Sequence, residues 1–216
     1  MITKSNLKNM LISAGFSDTS NDKYEKYYPL SDCSIVVDFR KEKIIYPENK
    51  GFKVNIATTT NFSEPENFVV LECVNKLLGK GYRPENIELE RTWTLGHKQK
   101  GGRADICVSD QNGKMLFIVE CKTYGSEYNK EMKSILSDGG QLISYWQQDR
   151  GCRWLVLYAS NINGNDEIEY TTDSINCSDD ENILNLAKKD PTILLYKNAH
   201  TVPELYKVWK ETYEQR

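Results

Sequence analysis

The stretch Arg103-Ala104-Asp105-Ile106-Cys107-Val108-Ser109-Asp110-Gln111-Asn112-Gly113-Lys114-Met115-Leu116-Phe117-Ile118-Val119-Glu120-Cys121-Lys122 decides how this chain folds. Arg103 to Val108 alternates and is partly β-branched; Lys114 to Lys122 is a stronger strand. Asn-Gly between such runs is a strong short-range hairpin signal. With Asn112 and Gly113 as a two-residue turn, Gln111 faces Lys114, and counting back sets Asp105 opposite Glu120 and Arg103 opposite Lys122. Directly opposed residues share a face with Cβ atoms roughly 5 Å apart, and alternation puts Lys122 on that face too. A four-residue loop would move the pairing by two and keep both carboxylates on one face; an odd shift would separate them.

Opposed carboxylates repel unless one is protonated or a cation lies between them. A hard dication that prefers oxygen ligands suits the place, and a neighbouring lysine can orient a water or offset charge on a phosphate. The competing reading is an ordinary hairpin with a charged, solvated face, since Glu-x-Lys is a common triplet. Against it, Phe117-Ile118-Val119 reads as buried on both faces, Asp105 falls opposite Glu120, and Cys121 keeps the other face apolar.

Outward from the hairpin, Ser63, Pro65 and Glu66 form the start of a helix with a capping-box spacing. Val69, Val70, Cys73, Val74, Leu77 and Leu78 follow at helical spacing, and Gly79 and Gly81 end it. Ile87 to Trp93 reads as a strand, about Asp138 to Gln148 as a helix after a polar stretch, and Arg153 to Ala159 as an apolar strand. The core order is thus helix, strand, strand, strand, helix, strand: a mixed α/β (α+β) fold containing antiparallel hairpins. Pro203 to about Glu214 is an expected amphipathic helix that closes a core unit of residues 61–216. Residues 1–60 read as a small N-terminal α/β appendage of unknown role. It holds a helix over Leu7 to Ala14, a polar, turn-rich stretch over Asp18 to Lys26, and strands at Ser34 to Asp38 and Lys43 to Tyr46.

Composition bounds the function classes. The 216 residues suffice for a core without staples. The net charge of −3 is unlike that of a free-standing, non-specific DNA binder, so basic residues must act locally if phosphate is the partner. Cys33, Cys73, Cys107, Cys121, Cys152 and Cys177 make no C-x-x-C pair, which points to free thiols in a reducing cytoplasm. No apolar run has transmembrane length and the start lacks a signal-peptide core, so a cytoplasmic, membrane-free protein is expected.

The pattern Gly-Arg-Ala-Asp105-Ile, a turn, then Ile-Val-Glu120-Cys121-Lys122 resembles the core of the PD-(D/E)XK nucleases, with Ala104 where the family name has proline. The resemblance implies a restriction-endonuclease-like core and a Mg2+-dependent endodeoxyribonuclease, with Mn2+ as a possible substitute. It gives Asp105 and Glu120 as metal ligands, Cys121 as donor of a backbone carbonyl, and Lys122 as the group assisting the attacking water. Gln141 and Tyr145, four apart on one helical face, resemble the Q-x-x-x-Y motif of nuclease domains in type I restriction subunits and related recombination nucleases. There the motif lies beside the active site and is associated with DNA contact. Glu66 resembles the helix glutamate that helps position metal or water. Its spacing to Val70, Cys73 and Leu77 supports an inward face, while the capping box is the alternative. His97, Lys98, Lys100 and Arg103 surround Gly96, Gly101 and Gly102 in a basic loop that suits phosphate contact or else is a solvated charge run.

Phe62-Ser63-Glu64-Pro65-Glu66-Asn67-Phe68, Lys80-Gly81-Tyr82 and Glu120-Cys121-Lys122-Thr123-Tyr124-Gly125 also resemble the N-terminal region of restriction-modification proteins that carry an N6-adenine methylase downstream. That likeness implies double-stranded DNA as substrate, with methylase and specificity domains or subunits as partners, in one longer chain or separate. The 216 residues hold neither an N-P-P-Y or D-P-P-Y motif nor a phosphate-binding G-x-x-x-x-G-K-[ST] loop. Methyl transfer and ATP hydrolysis are therefore not expected of them. A catalytically silent DNA- or subunit-binding module of the same fold is the alternative function.

Overall fold

The computed structural model describes residues 1–95, 99–138, 140–177 and 196–197. In chain order the elements are α1 (Leu7–Ser13), β1 (Ser17–Asp18), β2 (Lys23–Tyr28), β3 (Cys33–Asp38), β4 (Lys43–Ile45), β5 (Lys53–Val54), α2 (Glu66–Lys80), β6 (Ile87–Leu95), β7 (Gln99–Ser109), β8 (Met115–Cys121), α3 (Ser126–Asp138), α4 (Gly140–Gln148), β9 (Trp154–Ile162), β10 (Ile168–Asn176) and β11 (Tyr196–Lys197). Strands β1 to β4 form a small antiparallel sheet in sequence order. The large sheet runs β11-β10-β9-β8-β7-β6-β5. It is mixed: β5–β6 and β8–β9 are parallel and the other pairs antiparallel. The fold is therefore α+β with a mixed sheet, as the sequence predicts.

Two apolar clusters cover the faces of this sheet. On one side Ile106, Val108, Phe117, Val119, Val156 and Tyr158 join α2 and residues of α1 and the small sheet, including Leu7, Met10, Ile35 and Val37. On the other, Cys107, Ile118, Leu155, Leu157 and Ala159 meet Tyr128 and Ile135 of α3 and Leu142 and Tyr145 of α4. The period-two alternation of β8 and β9 sorts their residues between the clusters. Helix α2 is buried from Asn67 to Leu78 with Lys76 alone half-buried, because it is covered by both sheets. Residues 1–60 share this core and supply β5 to the large sheet.

Several expectations need correction. The Ser63–Glu66 capping box does not form: α2 starts at Glu66 behind Pro65 with no side-chain cap, and Gly79 lies inside the helix, which ends at left-handed Gly81 (φ 100°). The stretch over Asp18 to Lys26 contains most of β2, whose Tyr24 and Tyr28 are buried while Lys23, Glu25 and Lys26 are half-buried. The polar stretch after β8 is an unexpected helix, α3, while the helix expected from about Asp138 to Gln148 is α4. Strand β10 was hidden by its polar residues. The helix expected over 203–214 lies outside the described residues.

Candidate active site

The hairpin reaches the expected register by a different route. Its loop has three residues, Gln111 to Gly113, closed by the Asp110 N–H to Lys114 carbonyl bond at 2.8 Å, with Gly113 left-handed at φ 77°. Asp110 is buried, and its carboxylate accepts from the N–H groups of Asn112 and Lys114 at 2.8 and 2.9 Å. Such a loop alone is an odd shift, which would put Asp105 and Glu120 on opposite faces. A bulge restores the count: Ser109 pairs with Met115 but Val108 with Phe117, leaving Leu116 as the extra residue. Ile106 then pairs with Val119, and one step further Asp105 stands opposite Glu120.

Around this pair the structure brings together Glu66, Asp105, Glu120 and Lys122. Lys122 Nζ donates to Glu120 Oε1 and lies 3.7 Å from Glu66 Oε1. Asp105 Oδ2 accepts the Cys121 N–H at 2.7 Å. Asp105 is 8% exposed and Glu120 2%. Burial raises the Asp105 pKa well above the carboxylate range, and the neighbouring charges of Glu120 and Glu66 add to it. Burial likewise pushes Glu120 up to about 7, against the pull of Lys122. Burial raises Glu66 as well, again opposed by Lys122. At Lys122 burial favours the neutral amine, but Glu120, Glu66 and Asp105 outweigh it and hold the ammonium charged.

Three carboxylates thus share one ammonium, and when all are ionised a surplus of negative charge remains in a dry place. A hard dication fits that surplus and that all-oxygen donor set. Among the described residues no group of three or more His, Cys, Asp or Glu side chains is gathered to hold a metal. The fit is to an ion taking Asp105, Glu120 and a backbone carbonyl such as that of Cys121 while keeping its remaining waters, as magnesium prefers.

Tyr145 supports the site from α4. Its hydroxyl lies 2.7 Å from the Arg103 carbonyl and 3.1 Å from Glu120 Oε2, and it accepts from Gln141 Nε2 at 3.3 Å. Its ring is 1% exposed and stacks on Trp93 at 5.6 Å between centroids. Gln141 is the exposed member of the pair. Gly102, read above as part of a basic loop, is instead a close approach: a Cβ there would lie 2.3 Å from Tyr145 Cε1. Arg103 side-chain Nε pairs with the carboxylate of Glu90. Lys100 pairs with Thr94 in the ladder between β6 and β7, and Lys98 lies outside the described residues.

A family model described as "Type I restriction enzyme R protein N terminus" matches residues 65–177, just over half of the chain. The chain belongs to this family. The match takes in Glu66, Asp105, Glu120, Lys122, Gln141 and Tyr145, so the whole site lies within the family region. It begins one residue before α2 and ends one residue after β10. The chain is therefore a restriction-enzyme-related domain. No curated protein matches it. Among the described residues no helix is long and apolar enough to cross a membrane.

Glu90 and Thr58 are the site neighbours that sequence reasoning missed. Both line a cleft of ≈ 310 Å³ beside Glu66 and Asp105. Glu90 could have been found by extending the pairing count across β6, where it falls opposite Asp105 between the Leu89–Ile106 and Arg91–Ala104 pairs.

Proposed function

We propose that this chain is a metal-dependent endodeoxyribonuclease domain of a restriction-modification system, acting on double-stranded DNA beside methylase and specificity domains or subunits. The observation that carries this reading is the buried Asp105–Glu120 pair with Lys122 beside it. Asp105, Glu120 and the Cys121 carbonyl would hold Mg2+, or Mn2+ in its place. Bound there, the ion supplies Lewis acidity to a phosphodiester and acidity to a water. Lys122, charged and fixed by Glu120 and Glu66, orients the attacking water or offsets charge gathering on the phosphate oxygens. Tyr145 holds the Glu120 carboxylate in position. Exposed Gln141 on α4, Lys100 and Arg103 on β7, and Lys98, which lies outside the described residues, are the residues proposed to meet the DNA backbone.

The test is nicking and linearisation of supercoiled plasmid with Mg2+, Mn2+ or chelator, using the chain alone and with its methylase and specificity partners. Expected are metal-dependent cleavage and a loss of about 100-fold or more in Lys122→Ala. Metal-independent DNA binding without cleavage in the presence of the partners would establish a binding module instead.

A further inference from the structure

Glu90 is a buried acid that the proposed chemistry leaves unused. Its side chain is 1% exposed, and its backbone is left-handed at φ 57°. A non-glycine residue inside a strand adopts that conformation at a cost, and such strain persists where surrounding contacts over-determine it. Here those contacts are Thr58 Oγ1, which donates to Glu90 Oε1 at 2.7 Å, and Arg103 Nε, which is ion-paired with Oε2. By register Glu90, Asp105 and Glu120 stand abreast on three neighbouring strands. Glu120 has Lys122 and Glu90 has Arg103 as counter-charge, while Asp105 has the Cys121 N–H.

Arg103 is held at two points. Its carbonyl is bonded by the Tyr145 hydroxyl, and its Nε is ion-paired with Glu90 Oε2 in a charge contact that lacks hydrogen-bond alignment. Its side chain is nevertheless 46% exposed. Among the described residues no other partner takes its two terminal nitrogens, and these form the flat fork that grips a phosphate with two parallel hydrogen bonds. Arg103 lines the cleft that Asp105 and Glu66 also line. We propose that Glu90, braced by Thr58, is a positioning residue that presents the Arg103 fork to a backbone phosphate of the DNA strand crossing the cleft next to the scissile bond.

The proposal rests on the reading of the site as a DNA phosphodiesterase, yet it is testable without cleavage. The two explanations of Glu90 predict opposite signs. If Glu90 only neutralises Arg103, removing its charge leaves the chain more positive and DNA binds more tightly. If Glu90 positions Arg103, the same change loosens the fork and DNA binds more weakly despite the gain in charge.

The experiment is fluorescence anisotropy of a short labelled duplex with the full chain in chelator, across a salt series. Arg103→Ala is expected to weaken binding about tenfold and to lower the slope of log affinity against log salt by about 0.9, the value of one phosphate contact. Glu90→Gln is expected to weaken binding several-fold, and in that background Arg103→Ala should cost at most about twofold. Thr58→Val, which leaves both charges in place, should change affinity in the same direction as Glu90→Gln, by less. Arg103→Lys should restore the salt slope but remove the sensitivity to Glu90→Gln, since lysine has no fork to orient. Circular dichroism and melting confirm that each variant is folded. Tighter binding by Glu90→Gln, additive effects in the double variant, or no duplex binding by the wild-type chain at low salt overturns the clamp. Intact binding and coupling without metal-dependent cleavage leaves the clamp standing and removes the nuclease reading alone.

Discussion

Replacing Glu120 with glutamine tests whether the carboxylate surplus exists. Glutamine keeps the shape, with its oxygen placed to accept from Lys122 and its amide N–H facing the Tyr145 hydroxyl, but it never ionises. Glu120 titrates at about 7 in the fold against an ordinary value of 4.5, burial being the main cause. A carboxylate with a raised folded pKa binds its proton more tightly when folded. Its contribution to stability is therefore fully present below about pH 4.5 and is lost as pH rises through about 7. A rise of that size corresponds to about 3 kcal/mol of ionisation penalty above neutrality, shared with Asp105 because the two acids titrate together. In chelator at pH 8, Glu120→Gln should avoid most of this penalty and melt higher than wild type, by roughly 5–10 °C at the 2–4 °C per kcal/mol typical of this chain length. At pH 5 the two proteins should melt together. Mg2+ should raise the wild-type melting temperature at pH 8, because it binds the folded state and cancels the repulsion, and should do far less for the variant. Differential scanning calorimetry across pH 5–8 with and without Mg2+ is the assay. A variant that melts at or below wild type at pH 8 in chelator would refute the reasoning: Lys122 would then satisfy Glu120 as a structural ion pair, and no charge would remain for a cation to match.

Other perturbations follow from contacts around the site. Gly102→Ala forces a Cβ against the Tyr145 ring; it should cost about 1–3 kcal/mol by urea denaturation and reduce cleavage, because the ring must move and take its hydroxyl from Glu120. Tyr145→Phe keeps the ring stack but removes bonds to the Arg103 carbonyl and Glu120, so a stability loss of about 1 kcal/mol should accompany a larger fractional loss of cleavage. Asn75→Ala strips the acceptor shared by Lys26 Nζ at 2.7 Å and Tyr28 OH at 2.9 Å, and leaving these two groups without it should destabilise the fold by about 2–3 kcal/mol. A chain starting at residue 61 should fail the cooperative melting test, since α1 and the small sheet cover α2 and β6 loses its β5 partner.

How far the fold was legible depended on side-chain pattern. Helix α2 and strands β7, β8 and β9 carry dense apolar runs and are where the sequence places them, to within a few residues except for the N-terminal extension of β7. Strands β2 and β10 were invisible for one physical reason. Each turns polar residues to solvent and buries only a few positions, Tyr24 and Tyr28 in the first, Thr172, Ser174 and Ile175 in the second. Their stability comes from partners far along the chain, which composition does not report. Helix α3 escaped because its inward residues, such as Tyr128 and Ile135, are sparse in a charged stretch.

The site was legible through a pairing count whose premise was only half right. The two-residue turn is a three-residue loop, and the bulge at Leu116 cancels the resulting slip. Neither irregularity is visible in the residues themselves. What fixes their sum is burial: Phe117, Val119 and Cys121 must face α2 while Ile118 faces α3 and α4, and a slip of one would exchange the two sets. The same constraint therefore sets Glu120 on the α4 side within reach of Tyr145. Glu90 falls opposite Asp105 when the same count is carried across β6, although its left-handed backbone interrupts the strand there. Its placement beside Asp105 follows from neighbours on both sides of it, Leu89 with Ile106 and Arg91 with Ala104. Held between two registered pairs, Leu89 with Ile106 and Arg91 with Ala104, Glu90 makes its side-chain polar contacts with Thr58 and Arg103. The electrostatic work of holding Arg103 is what distinguishes it, and for that reason its substitution should act on phosphate binding before it acts on the fold.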